Sequence, residues 1–153
     1  MKYSVAIMPL RAGSKGIPGK NKRKLLGKPL YQWLLAEAAF SELDVVYVFT
    51  DDLDIEEQVL AEYRWSPKIQ VMRRSEESAS DVASTEIAML EFVNHLKEPF
   101  DFICLLQATS PLTTRSDINA CLNAVEEGGF DSALTVVENK RFFWSQDGRS
   151  LNY

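Results

Sequence analysis

The chain has 153 residues, 46% of them hydrophobic and 25% charged, which fits one globular domain able to bury roughly two-thirds of its unfolded surface. A formal net charge of −5 speaks against a general nucleic-acid or membrane binder, because such surfaces need a cationic excess to displace counterions. No N-terminal stretch has the pattern of a secretion signal and no apolar run approaches membrane-spanning length, so a soluble protein of the reducing cytoplasm is expected.

Tyr3 to Pro9 reads as a short buried strand stopped by a proline, which cannot donate to a ladder. A polar Gly/Lys loop follows, and then a helix from Pro29 to Phe40, where the proline suits the first turn and Leu30, Leu34 and Ala38 share a face. Val45 to Thr50 is β-branched and aromatic and predicts a second strand, with Asp51 to Asp54 supplying start signals for a helix from Ile55 to Tyr63. Ile69 to Met72 is a further strand, followed by a helix carrying Met89, Val93 and Leu96. Phe100 to Leu106 is the clearest strand, the next helix places Ile118, Cys121, Leu122 and Val125 on one face, and Ser132 to Val137 reads as a last strand. Cys104 and Cys121 sit in apolar contexts where a free thiol packs as a small hydrophobe. His95, alone on its helix, carries no role.

Strands alternating with helices predict an α/β fold: a mainly parallel sheet in three layers, with helices on both faces. Ligands bind such sheets at the carboxyl ends of the strands, which selects the loops after Pro9, Thr50, Met72 and Leu106. The first of these is the most unusual stretch of the chain. Arg11, Lys15, Lys20, Lys22, Arg23 and Lys24 fall within 14 residues that contain no carboxylate, on an otherwise acidic body. Gly13, Gly16 and Gly19 recur at every third position, giving the backbone access to positive φ and to close approach. Main-chain N–H groups with clustered cations form an anion cradle, one suited to a triphosphate rather than a neutral ligand. The spacing is neither a Walker A loop nor GxGxxG. A solvated basic loop, glycines that merely turn the chain, and a nuclear address at Lys20 to Lys24 are the plainer readings.

Three motifs in order carry a family resemblance: PLRAGSKGIPGKN with LLGKPL after it, RRSEESASDVAST from Arg73 to Thr85, and LQATSPLTTRSDI from Leu105 to Ile118. Together they resemble the acylneuraminate cytidylyltransferases, the CMP-N-acetylneuraminic acid synthetases, over the chain to about Trp144. Related enzymes activating 3-deoxy-octulosonate, legionaminic or pseudaminic acid share parts of them. The resemblance implies a Rossmann-like nucleotide-diphospho-sugar transferase fold, with residues 1–138 as the nucleotide-binding domain and 139–153 beginning a truncated dimerisation and sugar-binding region from Phe142, Phe143 and Trp144. It implies that Arg11 and Lys20 are catalytic and hold the CTP phosphates, with Leu10, Gly13, Ser14, Lys15 and Asn21 lining the same loop. Arg74 would contact cytosine, as paired guanidinium donors can, with Arg73 as the alternative if the alignment slips by one. Ser80 and Asp81 would also line the CTP site, or else cap the next helix.

Gln107, Thr109 and Ser110 would face the sugar acid with neutral donors and acceptors, or else form a Ser-Pro turn. The implied reaction is attack of an anomeric hydroxyl on the α-phosphate of CTP, releasing pyrophosphate, in a homodimer that uses Mg²⁺. The metal-binding carboxylates of the family have no counterpart in this sequence, which leaves open a CTP-binding module without turnover, or a basic interaction segment on an inert domain.

Overall fold

The computed structural model describes residues 2–138 and 140–151; Asn139, the first residue of the expected second segment, and residues 152–153 lie outside them. Four parallel strands form the sheet: β1 (Ser4–Leu10) pairs on one side with β4 (Val45–Thr50) and on the other with β6 (Phe102–Leu105), and β5 (Ile69–Arg73) pairs with β4, giving the order β5-β4-β1-β6. The register runs from Val5 opposite Val45 to Leu10 opposite Thr50, and from Ser4 opposite Phe102 to Ile7 opposite Leu105.

Alternation along β1 sorts the core into two layers, as the two-residue period of a strand requires. Ala6, Met8 and Leu10 point to one face and pack with Leu34, Leu35 and Ala38 of α1 (Leu30–Ala39), Ile55 and Val59 of α2 (Leu53–Glu62) and Ile118 of α5 (Arg115–Glu126). Val5 and Ile7 point to the other face, with Phe49, Ala88 and Phe92, the last two from α4 (Thr85–His95). Helices therefore cover both faces, and the expected three-layer α/β architecture is observed. Cys104 packs at the edge of the first layer, where burial pushes its thiol up to about 11.

Several boundaries differ from expectation for identifiable reasons. Pro9 does not stop β1; the strand continues to Leu10 because β6 pairs only as far as Ile7, so Pro9 has a single strand neighbour, Phe49 of β4. Pro29 occupies the position just before α1 rather than its first turn, as the end of β3 (Lys28–Pro29). That strand pairs with β2 (Lys24–Leu25) in a two-residue hairpin with positive φ at both Leu26 and Gly27, the geometry that matches strand twist. Nothing in LLGK announces it, since Leu26 is a poor residue for that conformation. A four-residue helix, α3 (Glu76–Ala79), was likewise not anticipated.

The expected strand at Ser132–Val137 does not form. The stretch pairs with no strand, and Leu134, Val136 and Val137 are 76–89% exposed. Strand propensity reflects packing on a pleated neighbour more than an intrinsic backbone preference, and the pairing of this sheet ends at β6.

Helix starts are well specified. Asp52, nearly buried, accepts hydrogen bonds from the Asp54 and Ile55 N–H groups at the start of α2 and receives Lys22 Nζ at 2.9 Å. Thr114 and Asp117 close a reciprocal capping box on α5. Asp52→Ala is expected to lower unfolding free energy by about 1–2 kcal/mol, the upper range for a lost cap, read as a lower urea midpoint at unchanged slope.

Candidate functional site

At the carboxyl ends of β1, β5 and β6 the structure opens a cleft of ≈ 250 Å³. Its walls come from segments far apart in sequence. The loop after β1 contributes Arg11, Ser14, Lys20 and Asn21; the stretch after β5 contributes Arg74, Ser78, Ser80 and Asp81; the loop after β6 contributes Gln107 and Thr109. The start of α4 closes one side with Ser84 and Thr85.

The loop after β1 is pinned at both ends. Its Ala12 N–H donates to Asp51 Oδ1 at 2.9 Å, and the buried Asn21 side chain donates to the Arg11 carbonyl at 3.1 Å. Asn21 thus holds the loop closed on itself. Lys22 turns away to Asp52 and Asp54, which hold its ammonium above the usual range through hydrogen bonds, that to Asp54 first. The loop after β4, expected to line the cleft, contributes only this support through Asp51. Of the three spaced glycines only Gly19 uses positive φ, at 61°; the positions of a Cβ on Gly13 and Gly16 lie in open space.

Arg74 and Arg73 separate cleanly. Arg73 is exposed and pairs with Glu56 at 2.8 Å. Arg74 lines the cleft, its guanidinium 5.7 Å over the Phe49 ring and bonded through Nε to Ser78 Oγ at 3.2 Å and through Nη2 to the Ser78 carbonyl. Burial foremost, with Arg11 also near, pulls its guanidinium below the usual value. It remains a cation at physiological pH.

Arg11 crosses the cleft: Nη1 donates to the Ser80 carbonyl at 3.0 Å and pairs with Asp81 Oδ1 at 3.1 Å, while Lys15 Nζ takes Asp81 Oδ2 at 2.8 Å. Neither Ser80 nor Asp81 starts the following helix: Ser84 caps the start of α4, Ser75 that of α3, and Ser80 ends α3 by donating its N–H to the Glu77 carbonyl. Lys20 makes no ion pair among the described residues.

Four sequence-assigned residues stand outside the lining, among them Lys15, whose exposed side chain reaches Asp81 from the rim. Leu10 is fully buried in the core, so only its main chain is available to a ligand. Gly13 and Ser110 are not part of the walls, and the Ser110 N–H closes a turn on the Gln107 carbonyl at 2.9 Å. Ser78, Ser84 and Thr85 line the cleft without having been singled out, although all three lie inside the motif from Arg73 to Thr85.

A parallel sheet covered by helices, with a cleft of cations and hydroxyls at the carboxyl ends of its strands, places the chain among the Rossmann-like α/β folds. A model of the cytidylyltransferase family matches residues 5–145, and the chain belongs to that family. It is 37% identical over 145 residues to N-acylneuraminate cytidylyltransferase B of Danio rerio, an alignment covering 95% of this chain and 33% of that protein. It is 39% identical over 114 residues to the CMP-N,N'-diacetyllegionaminic acid synthase of Legionella pneumophila, covering 70% and 46%. The resemblance carried by the three motifs is thus found along nearly the whole chain. Among solved structures, a CMP:2-keto-3-deoxy-manno-octonic acid synthetase complexed with CTP superposes with a TM-score of 0.66 at 25% identity, covering 83% of this chain and 48% of that one. The chain spans about a third of the length of the N-acylneuraminate cytidylyltransferases it matches.

Proposed function

We propose that the cleft binds CTP and serves a nucleotidyltransferase reaction in which CMP passes to the anomeric hydroxyl of a sialic-acid-type 2-keto sugar acid. The observation that carries this reading is the convergence of Arg11, Lys20 and Arg74 with Gln107 and Thr109 on one cleft, in a chain of the cytidylyltransferase family. The anomeric hydroxyl oxygen attacks the α-phosphorus and gives up its proton to solvent, the bond from that phosphorus to the bridging oxygen breaks, and pyrophosphate leaves. Arg11 and Lys20 neutralise charge on the phosphates as it shifts toward the leaving group. Lys15 and Ser14 supply further donors in the same loop, and Arg74, held over Phe49 and tied to Ser78, presents its remaining donors to the base. Gln107 and Thr109 orient the sugar acid so that its hydroxyl lies in line with the leaving group.

The resemblance implies Mg²⁺, which in such reactions neutralises phosphate charge. Among the described residues no group of three or more His, Cys, Asp or Glu could hold a metal ion. The one carboxylate of the cleft, Asp81, is engaged by two cations. These residues do not form a magnesium site of their own, and no step above is routed through one. A homodimer formed through the region from 139 onward, with exposed Phe142, Phe143 and Trp144, and work in the cytoplasm belong to the same proposal.

Calorimetry is expected to show CTP binding at least several-fold tighter than ATP, since a site shaped for one base edge leaves polar groups unpaired against another. Equal affinities would overturn the assignment of the base site. A pyrophosphate-release assay with CTP, Mg²⁺ and a panel of nonulosonic and octulosonic acids then separates turnover from binding alone.

A further inference from the structure

We propose that Asp81 is an internal counter-anion of the phosphate site: it occupies Arg11 and Lys15 when no nucleotide is bound, and a phosphate chain must displace it. The inference rests on the reading of the cleft as a CTP site, yet it reverses the role that motif resemblance assigns to this residue.

A carboxylate is a poor neighbour for a triphosphate. Both are anionic, and like charges a few ångströms apart repel strongly where water is partly excluded. Asp81 nonetheless lines the cleft, within 3.1 Å of Arg11 and 2.8 Å of Lys15. It starts no helix, so its position is explained by these two cations. Lys15, foremost through its hydrogen bond, and then Arg11 hold the carboxyl below the usual range, so it is ionised at neutral pH.

The pairing also has a mechanical side. The Arg11 contact to the Ser80 carbonyl ties the segment carrying Ser80 to the loop after β1. Displacing Asp81 leaves that tie intact, so the walls stay assembled while the charge at their centre is exchanged. A ligand with several phosphate oxygens can satisfy Arg11, Lys15 and Lys20 together, whereas a short anion competes less well. Once pyrophosphate departs, the carboxylate reseats on its two cations.

Asp81→Asn keeps the shape and removes the charge. Titrated by calorimetry, the variant is expected to bind inorganic pyrophosphate about 3- to 10-fold more tightly than the unaltered chain, the scale of two partly exposed ion pairs released, with CTP tightening in parallel. Lys15→Ala is expected to cost more affinity in the Asp81→Asn background than alone, because only there is the ammonium already free for the ligand. Unchanged or weaker pyrophosphate binding in Asp81→Asn, including no binding to either chain, overturns the proposal. If pyrophosphate tightens while CTP binds to neither chain, the counter-anion stands and the CTP reading falls.

Discussion

Lys20→Ala is expected to weaken CTP binding by about 10- to 100-fold, the loss of one charge-assisted contact worth ~1.5–3 kcal/mol. Among the cations of the cleft this is the cleanest to remove. Arg11→Ala would leave Asp81 with a single partner and untie the Ser80 carbonyl, and Arg74→Ala would uncover Phe49 and strand Ser78. Among the described residues Lys20 has no ion-pair partner to orphan, so a loss measured by calorimetry reports on the ligand. Its backbone N–H, which closes the turn on Ile17 at 3.1 Å, survives the substitution. Thermal unfolding should be shifted little. Unchanged CTP affinity at an unchanged melting temperature would remove Lys20 from the phosphate site.

Phe92→Ala is expected to reduce unfolding free energy by about 3–5 kcal/mol, the usual cost of deleting a buried aromatic ring. Phe92 is fully buried between α4 and the sheet and meets Tyr47 and Phe49 edge-on, at ring separations of 5.3 and 5.7 Å. Such pairs add to the burial term. Phe49 links this layer to the site, since its ring also lies beneath Arg74. Phe92→Ala should therefore weaken CTP binding as well as stability, while Phe92→Leu, which keeps most of the volume, should restore much of both. Urea unfolding followed by circular dichroism checks the first, and calorimetry the second. A loss under 1 kcal/mol would mean that α4 packs on the sheet less tightly than its burial indicates.

The elements were legible where local pattern and tertiary need coincide. VVYVFT reads as a strand and forms β4 over the same residues because every side chain has a layer to enter. LTVV in the expected last strand has the same character and fails, because a strand needs a neighbour that its own residues cannot supply. The candidate site was legible as chemistry: a basic, glycine-spaced loop on a strand end, an arginine pair ahead of Ser80 and Asp81, and a polar loop after the strongest strand. Its assembly was not. Arg73 and Arg74 are adjacent and chemically equal, and only the pairing of Arg73 with Glu56 and the seating of Arg74 on Phe49 tell them apart.

Residue types and their periodicities, which are local, settled the four parallel strands and the four longer helices, the basic loop and the family motifs. Tertiary structure alone decided which of six neighbouring cations line the cleft, that Lys22 serves α2 instead, and that Asp81 sits on two cations of the loop after β1. Those outcomes depend on contacts across long stretches of chain, as between Arg11 and Ser80, 69 residues apart. A charge has no assignable partner until the fold brings one within about 4 Å.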